Sequence, residues 1–559
     1  MMPLPGSPAR IWALLFIFLS PMLFGFATLW LGQDAAWDTR NYPIYNAWAF
    51  VTGRYAEGID LMPSQGQFFF NPLLDVPFYL LSTLMPPKAA YFILGCVQGI
   101  NIPLLFMIGW LTLNIAGDMR KVAACAALAL LGLFSGMGIS EIGTQFNDNL
   151  TSIGIMLTVL LVLRNIDFLM TETGCRVLER GALFGLPAGL ALGLKITCLP
   201  FCLGICVAAL ILTPDWRKCL WLAVCVGFGI TLGFLLAYGH WAYYLWQHFD
   251  SPMFPFFNAV FRSPLLPPNL LLDYPTPRDG RLFMFPFYFA FNPLLVNEIL
   301  WRDLRVPILY GLLLVVPVWY FAKGRVTAAD WLAQRIPARF LLLVAGVAYY
   351  GWLFSQTIYR YLLPLDMIAP LLVVAAVGLL PIARKTRVIA ATALLLLVTL
   401  SIQPGDWGRH DGFEPTLAEI FMPPLGEKPM LLMAGTDAYA YLLPQLTRDA
   451  AYVRIESRGF KADAPTALNK MISARIAAHD GQIYLFAPKR EEQSVLDAAR
   501  RHGLSPQGAC RVAFDGYAPG RKAHDYQPST VTFSSAREVS TDHYPREFIL
   551  CVMTKHVNP

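Results

Sequence analysis

The sequence predicts a polytopic all-α membrane protein that carries a small α/β domain at its carboxyl end. Three observations lead there. Charged residues make up 14% of the 559 positions, whereas soluble domains carry about 25%. Residues 11–402 are largely apolar runs, and about 20 such residues match the hydrocarbon thickness of a bilayer. Residues 403–559 return to the composition of an ordinary soluble chain.

The expected spans are 11–31, 89–113, 121–138, 149–169, 181–194, 196–213, 218–239, 305–322, 339–357, 360–381 and 386–402, about eleven helices in all. The first run exceeds the ~7–15-residue core of a signal peptide, so it reads as a retained span. The stretch "GLPAGLALGLKITCLPFCLGICVAALIL" is too long for one helix and holds Lys195 in its middle. It is read as two short helices meeting near Lys195. With that pair, every second loop is basic, as at Arg120/Lys121, Arg217/Lys218 and Arg384/Lys385/Arg387. Basic loops stay cytoplasmic. The amino terminus is therefore expected inside, and loops 32–88, 139–148 and 240–304 outside with the soluble domain. The domain division is thus 1–402 in the membrane and 403–559 outside it.

In the tail, "KPMLLMAG", "AYVRIES", "GQIYLFAP" and "EFILCVMT" read as strands and "SVLDAARRHG" as a helix, the alternation of a small α/β domain. It has no Gly-rich phosphate loop. Its two cysteines, Cys510 and Cys551, are free to pair in an oxidising compartment. Cys198, Cys202 and Cys206 lie in an apolar segment without His or acidic partners and read as helix packing. The net charge of +6 reflects cytoplasmic-loop lysines and arginines, and no basic tract suggests nucleic acid.

Ionisable groups near a bilayer are costly and point to function. Here they gather on the outer side: Asp38, Arg40, Arg54, Asp60 and Asp75 in the first loop, then Glu141 and Asp148 in the second. At a helical period the last two share a face. Lys195 sits at the turn of the helix pair, followed by His240, Asp250, Arg262 and Asp273, and Arg360 opens "YRYLLPLDMIAPLL". Singly, each has an ordinary reading: a cap, a solvated acid, a snorkelling anchor, or an aromatic belt. Their common side favours a site. The segments "FFFNPLLDVPFYLL" and "DSPMFPFFNAVFRSPLLPPNLLLDYP" read as short interfacial helices, suited to a substrate with a lipid tail and a polar head.

Over residues 11–400 the chain resembles the GT-C class of integral-membrane glycosyltransferases, which includes protein O-mannosyltransferases, aminoarabinose transferases and bacterial relatives. The resemblance rests on "WDTRNYPIYNAWAF", "SEIGTQFNDN", "GLPAGLALGLKIT", "DSPMFPFFNAVF" and "YRYLLPLDMIAP", in that order. It implies transfer of a sugar from a polyprenyl-phosphate carrier to an acceptor hydroxyl on the outer face of the membrane, usually with inversion. For a bacterial relative this means the inner membrane, with a cytoplasmic amino terminus and a periplasmic active site and soluble domain. The family's first-loop acid corresponds to Asp38, and its second-loop acids correspond in place to Glu141 and Asp148. This chain has Asp-Thr-Arg where many members have an Asp-Glu pair.

An inverting transfer needs a base on the acceptor hydroxyl, and Asp38 fits. It needs positive charge on the departing phosphate, for which Arg360 and Lys195 come first, then Arg40 and Arg262. A divalent metal (Mg²⁺ or Mn²⁺) held by Asp38, Glu141 and Asp148 is the other source of that charge. Trp37, Tyr42, Tyr45 and Trp48 are candidates to stack on sugars, with His240 as a further substrate contact. The expected partners are a polyprenyl-phosphate-linked sugar, membrane lipids and a glycan, lipid or protein acceptor. The rival readings are a transporter or flippase of lipid-linked glycans and a scaffold for the soluble domain. Transporters favour repeats and midplane charges, neither of which is seen in this chain.

Overall fold

The computed structural model describes residues 7–267, 282–323, 332–410, 412–516 and 547–555. Asp273 lies outside them. The chain divides into two compact units. The first comprises Met1–Gln33, Tyr91–His240 and Leu272–Gly412; the second comprises Asp34–Ala90, Trp241–Leu271 and Phe413–Pro559.

The first unit is helical. Among the described residues, six helices are long and apolar enough to cross a membrane: Pro8–Leu31, Pro87–Thr112, Cys175–Leu194, Trp216–Phe249, Arg335–Ser355 and Tyr359–Gly378. They mark an integral membrane protein. The other expected spans fall on shorter or more polar helices, so the count of eleven is not reached. Asp118–Leu133 has 16 residues and Asp148–Arg164 has 17, rising about 25 Å against a hydrocarbon core of about 30 Å. Arg384–Ser401 begins with Arg384, Lys385 and Arg387.

Glycines set how closely two of these helices approach. A Cβ at Gly185 would fall 2.1 Å from the Val226 carbonyl oxygen, and one at Gly189 would fall 2.1 Å from that of Ile230. From the facing helix, a Cβ at Gly229 would lie 2.0 Å from the Ala182 oxygen. Helices 175–194 and 216–249 therefore meet along a small-residue seam, the usual way membrane helices gain contact. At the end of that seam the helix breaks. Lys195 is extended (φ −148°, ψ 111°) between Cys175–Leu194 and the short Ile196–Cys198 turn that leads into Leu199–Ala209.

The second unit is built on a seven-stranded mixed sheet. Met430–Met433 lies between Ala451–Arg454 and Ile483–Pro488, parallel to both. Glu547–Lys555 runs antiparallel to Ile483–Pro488, Leu504–Pro506 and Arg511–Asp515, and Ile420–Phe421 pairs with the last of these. Leu431, Leu432, Val453, Leu485 and Phe486 are fully buried. Helix Glu492–Arg501 covers the sheet with Val495, Leu496, Ala498 and Ala499. Cys510 and Cys551 form a disulfide next to the paired residues Arg511 and Leu550. The early segment extends the sheet edge: Leu61 bridges Val453, its N–H donating to the Tyr452 oxygen and its oxygen accepting from Arg454 N–H, each at 2.9 Å.

Candidate functional site

In the first unit the polar chemistry centres on residues 134–149. Helix Asp118–Leu133 ends there, and Ser135 caps the next short turn by accepting from Gly138 N–H at 2.7 Å. Two residues with positive φ, Gly143 and Asn147, both near +67°, then fold the chain back before helix Asp148–Arg164. Gly143 is required: a Cβ would sit 2.4 Å from the Thr28 methyl, and φ there disfavours any side chain. Gln98 holds the bend by accepting from Gly143 N–H (2.8 Å) and donating to the Thr144 oxygen (3.0 Å). Arg409 donates to the oxygens of Ser140 (3.1 Å) and Ile142 (2.6 Å).

Two cations close on this loop. Lys195 Nζ donates to the Phe146 oxygen and to Asp148 Oδ1, both at 2.7 Å. The Arg360 guanidinium lies over the rings of Phe146 (4.6 Å), Tyr361 (5.2 Å) and Trp407 (6.0 Å). Lys195 faces Tyr361 as well, at 5.4 Å. Aromatic faces attract cations without neutralising them.

Glu141 is 1% exposed, and neither of its carboxylate oxygens meets a hydrogen-bond donor among the described residues. The charges that reach it are Asp148, Lys195, Arg360 and Asp366. Burial pushes its carboxyl well above the ordinary range, and Asp148 pushes further, against the pull of Lys195 and Arg360. An ionised carboxylate buried without donors is costly, which favours the protonated form of Glu141.

Glu141, Asp148, Lys195 and Arg360 are thus brought together. The helical period is not what joins the acids, because the chain between them is bent at Gly143 and Asn147. Asp148 already carries the Lys195 ammonium, and the oxygens of Glu141, the other acid of this loop, meet no donor among the described residues. That set does not suit a resident metal ion, and no group of three His, Cys, Asp or Glu capable of holding one occurs among the described residues. Sequence reasoning passed over Phe146, Trp407 and Arg409. The last two look like the start of a soluble tail.

In the second unit, Asp38 stands half-buried in the first turn of Trp37–Asn41, beside the exposed Trp37. Tyr45 and Trp48, expected as sugar-stacking rings, are instead buried. Tyr45 Oη donates to Asp60 Oδ2 at 2.5 Å. Arg54 donates to both oxygens of Asp60 at 2.6 Å, and its guanidinium lies over Trp48 (4.9 Å) and Tyr452 (5.0 Å). The rings wall a buried ion pair. Tyr42 is buried too, edge-on to Phe70. Arg40, expected on the donor phosphate, is buried against Tyr441 (3.2 Å) and Asp515 (3.6 Å), which already neutralises it. Arg262 is exposed in a left-handed conformation after helix Asn258–Phe261. His240, in the first unit, is exposed on helix Trp216–Phe249.

Comparison with solved structures gives one recurring neighbour. The chain is similar to an archaeal oligosaccharyltransferase. The apo protein from Archaeoglobus fulgidus matches at a TM-score of 0.44 and 11% identity, over 97% of this chain and 76% of that one. Its complex with Zn and sulfate matches at 0.41 and 12%, over 92% and 72%. The same archaeal protein, AglB, in complex with an inhibitory peptide and a dolichol-phosphate matches at 0.43 and 10%, over 93% and 74%. No protein-family model matches the chain, and no curated protein does.

Proposed function

We propose that this chain is a GT-C-type membrane glycosyltransferase. It moves a sugar from a polyprenyl-phosphate-linked donor to an acceptor hydroxyl on the outer face of the membrane, with inversion. The observation that carries the reading is the convergence of Lys195 and Arg360 on the Glu141–Asp148 loop, Lys195 by hydrogen bonds to Phe146 and Asp148 and Arg360 over the Phe146 ring. Two cations set against aromatic faces suit a phosphate whose charge grows as the glycosidic bond breaks. The order of the GT-C-like motifs supports the same chemistry, and Asp38 supplies the base. Exposed Phe257, Val260 and Phe261 offer an apolar surface to the prenyl chain. The Cys510–Cys551 disulfide suits an oxidising compartment, and the basic alternate loops suit a bacterial inner membrane with this domain in the periplasm.

Purified protein incubated with a radiolabelled prenyl-phosphate sugar and candidate acceptors is expected to yield glycosylated acceptor and free prenyl phosphate. Movement of intact donor across proteoliposomes, with no transfer product, would favour the flippase reading instead.

The protonated Glu141 gives this reading a pH signature. As pH rises through its raised pKa, a negative charge appears beside the phosphate site, so the KM for donor should climb. Glu141→Gln stays neutral and should show a flat profile over the same range. Stability follows the same sign: the contribution of Glu141 is full below the unfolded glutamate value of about 4.3 and is lost as pH rises toward the folded value. KM for donor against pH, in parent and variant, is the measurement. Parallel profiles would remove Glu141 from the phosphate site.

A further inference from the structure

Behind the Glu141 loop lies a second polar group that the proposed chemistry does not use. Asp303 and Arg305 are both fully buried, with Arg305 Nε donating to Asp303 Oδ1 at 2.9 Å. Asp303 Oδ2 accepts from Gly136 N–H at 2.9 Å, at the start of the turn that leads to Glu141. Arg305 Nη1 donates to the backbone oxygens of Leu131, Gly132 and Asp366, each at 3.0 Å. Asp366 is fully buried and accepts from Tyr359 Oη at 2.7 Å. Tyr359 is the residue immediately before Arg360. Its ring packs on Trp301 at 4.0 Å, and its N–H donates to the Val296 oxygen at 2.7 Å.

The bonds of this group run to the two pieces of chain that carry the site. One arm reaches the end of helix 118–133 and the first N–H of the Glu141 turn. The other reaches the Asp366 backbone oxygen and, through the Asp366 carboxylate, the hydroxyl of Tyr359, the neighbour of Arg360. Buried ion pairs are poor stabilisers, since apolar residues of the same volume often do as well. Fixing a geometry is their better-attested use, and phosphate recognition needs geometry held to within a fraction of an ångström.

We propose that Asp303, Arg305, Asp366 and Tyr359 are positioning residues that set Arg360 against the Glu141–Asp148 loop, so that both meet one phosphate; this rests on the glycosyltransferase reading above. Asp303 and Arg305 variants leave a buried charge unpaired and test folding more than position. Tyr359→Phe removes one hydroxyl and keeps the ring packing. The experiment is a double-mutant cycle in the full-length protein across parent, Tyr359→Phe, Arg360→Lys and the double variant. It reads the Kd for undecaprenyl phosphate and the thermal midpoint in detergent.

A positioning role predicts about tenfold weaker binding for Tyr359→Phe in the parent, a midpoint close to that of the parent, and almost no further loss when Arg360 is already lysine. A merely structural hydroxyl would weaken binding by the same factor in both backgrounds, or not at all, and either result overturns the proposal. Parent protein that binds undecaprenyl phosphate but transfers no sugar overturns the transferase reading while the cycle still decides the positioning. Parent protein that does not bind it overturns both.

Discussion

Asp38→Asn is expected to lower the rate of sugar transfer by about 10²–10⁴, the usual contribution of a positioned general base. The change is close to isosteric. The backbone oxygen of Asp38 accepts from Tyr42 N–H at 3.0 Å, a bond that the substitution keeps. The side chain is half-buried rather than locked in the core, so folding should be little affected. In an inverting transfer the acceptor oxygen attacks the anomeric carbon as its proton passes to the base, and the electron pair of the breaking bond leaves with the prenyl phosphate. An amide cannot take that proton. The loss should therefore fall on kcat, with the donor KM nearly unchanged. Steady-state kinetics at saturating donor decide the matter, and a variant as fast as the parent removes Asp38 from the role.

Lys195→Met should be the more damaging change, because two effects combine. Asp148 is nearly buried, and Lys195 is its ion-pair partner. Breaking a buried pair from one side typically costs about 3–5 kcal/mol, so the thermal midpoint should fall. The proposed phosphate site would also lose one of its two cations, for which a rate loss of about 10²–10³ is expected. The two effects can be separated. Adding Asp148→Asn removes the stranded charge and should recover most of the stability, while transfer stays low. A double variant that recovers both would mean that Lys195 serves only to hold Asp148.

Parts of this arrangement were open to sequence reasoning for definite reasons. A lysine in the middle of an apolar run too long for one helix forces a break, and the helix does break at Lys195. The apolar stretches read in the tail fall on strands Met430–Met433, Ala451–Arg454, Ile483–Pro488 and Glu547–Lys555. Span length was harder, since a run such as 149–169 does not reveal that its helix stops at Arg164. Aromatic residues near a bilayer look alike whether they line an interface or wall an ion pair. Only the Arg54–Asp60 contact tells which of these Tyr45 and Trp48 do. Arg40 was opaque for a similar reason: its partners Tyr441 and Asp515 lie hundreds of positions away along the chain. Asp366 stood in plain view within "YRYLLPLD" with its partner Tyr359, yet Arg305, which donates to its backbone oxygen, comes from a distant segment.

The contact between Asp60 and Tyr452 N–H, 2.9 Å long and 392 residues apart in sequence, bears on how the protein is made. The segment that holds Arg54 and Asp60 emerges early in synthesis, but the strand that encloses them arrives only after the helices between have been made. Until then Arg54 and Asp60 lack the strand that buries them, and the edge segment at Leu61 has no sheet to extend. Distant pairings form slowly, and unpaired strand edges invite aggregation in the meantime. Nascent chains stalled before residue 451 should therefore be degraded by added protease more readily than the full-length chain. Release of the ribosome, more than insertion of the first helix, would set the moment at which the protein becomes protease-resistant.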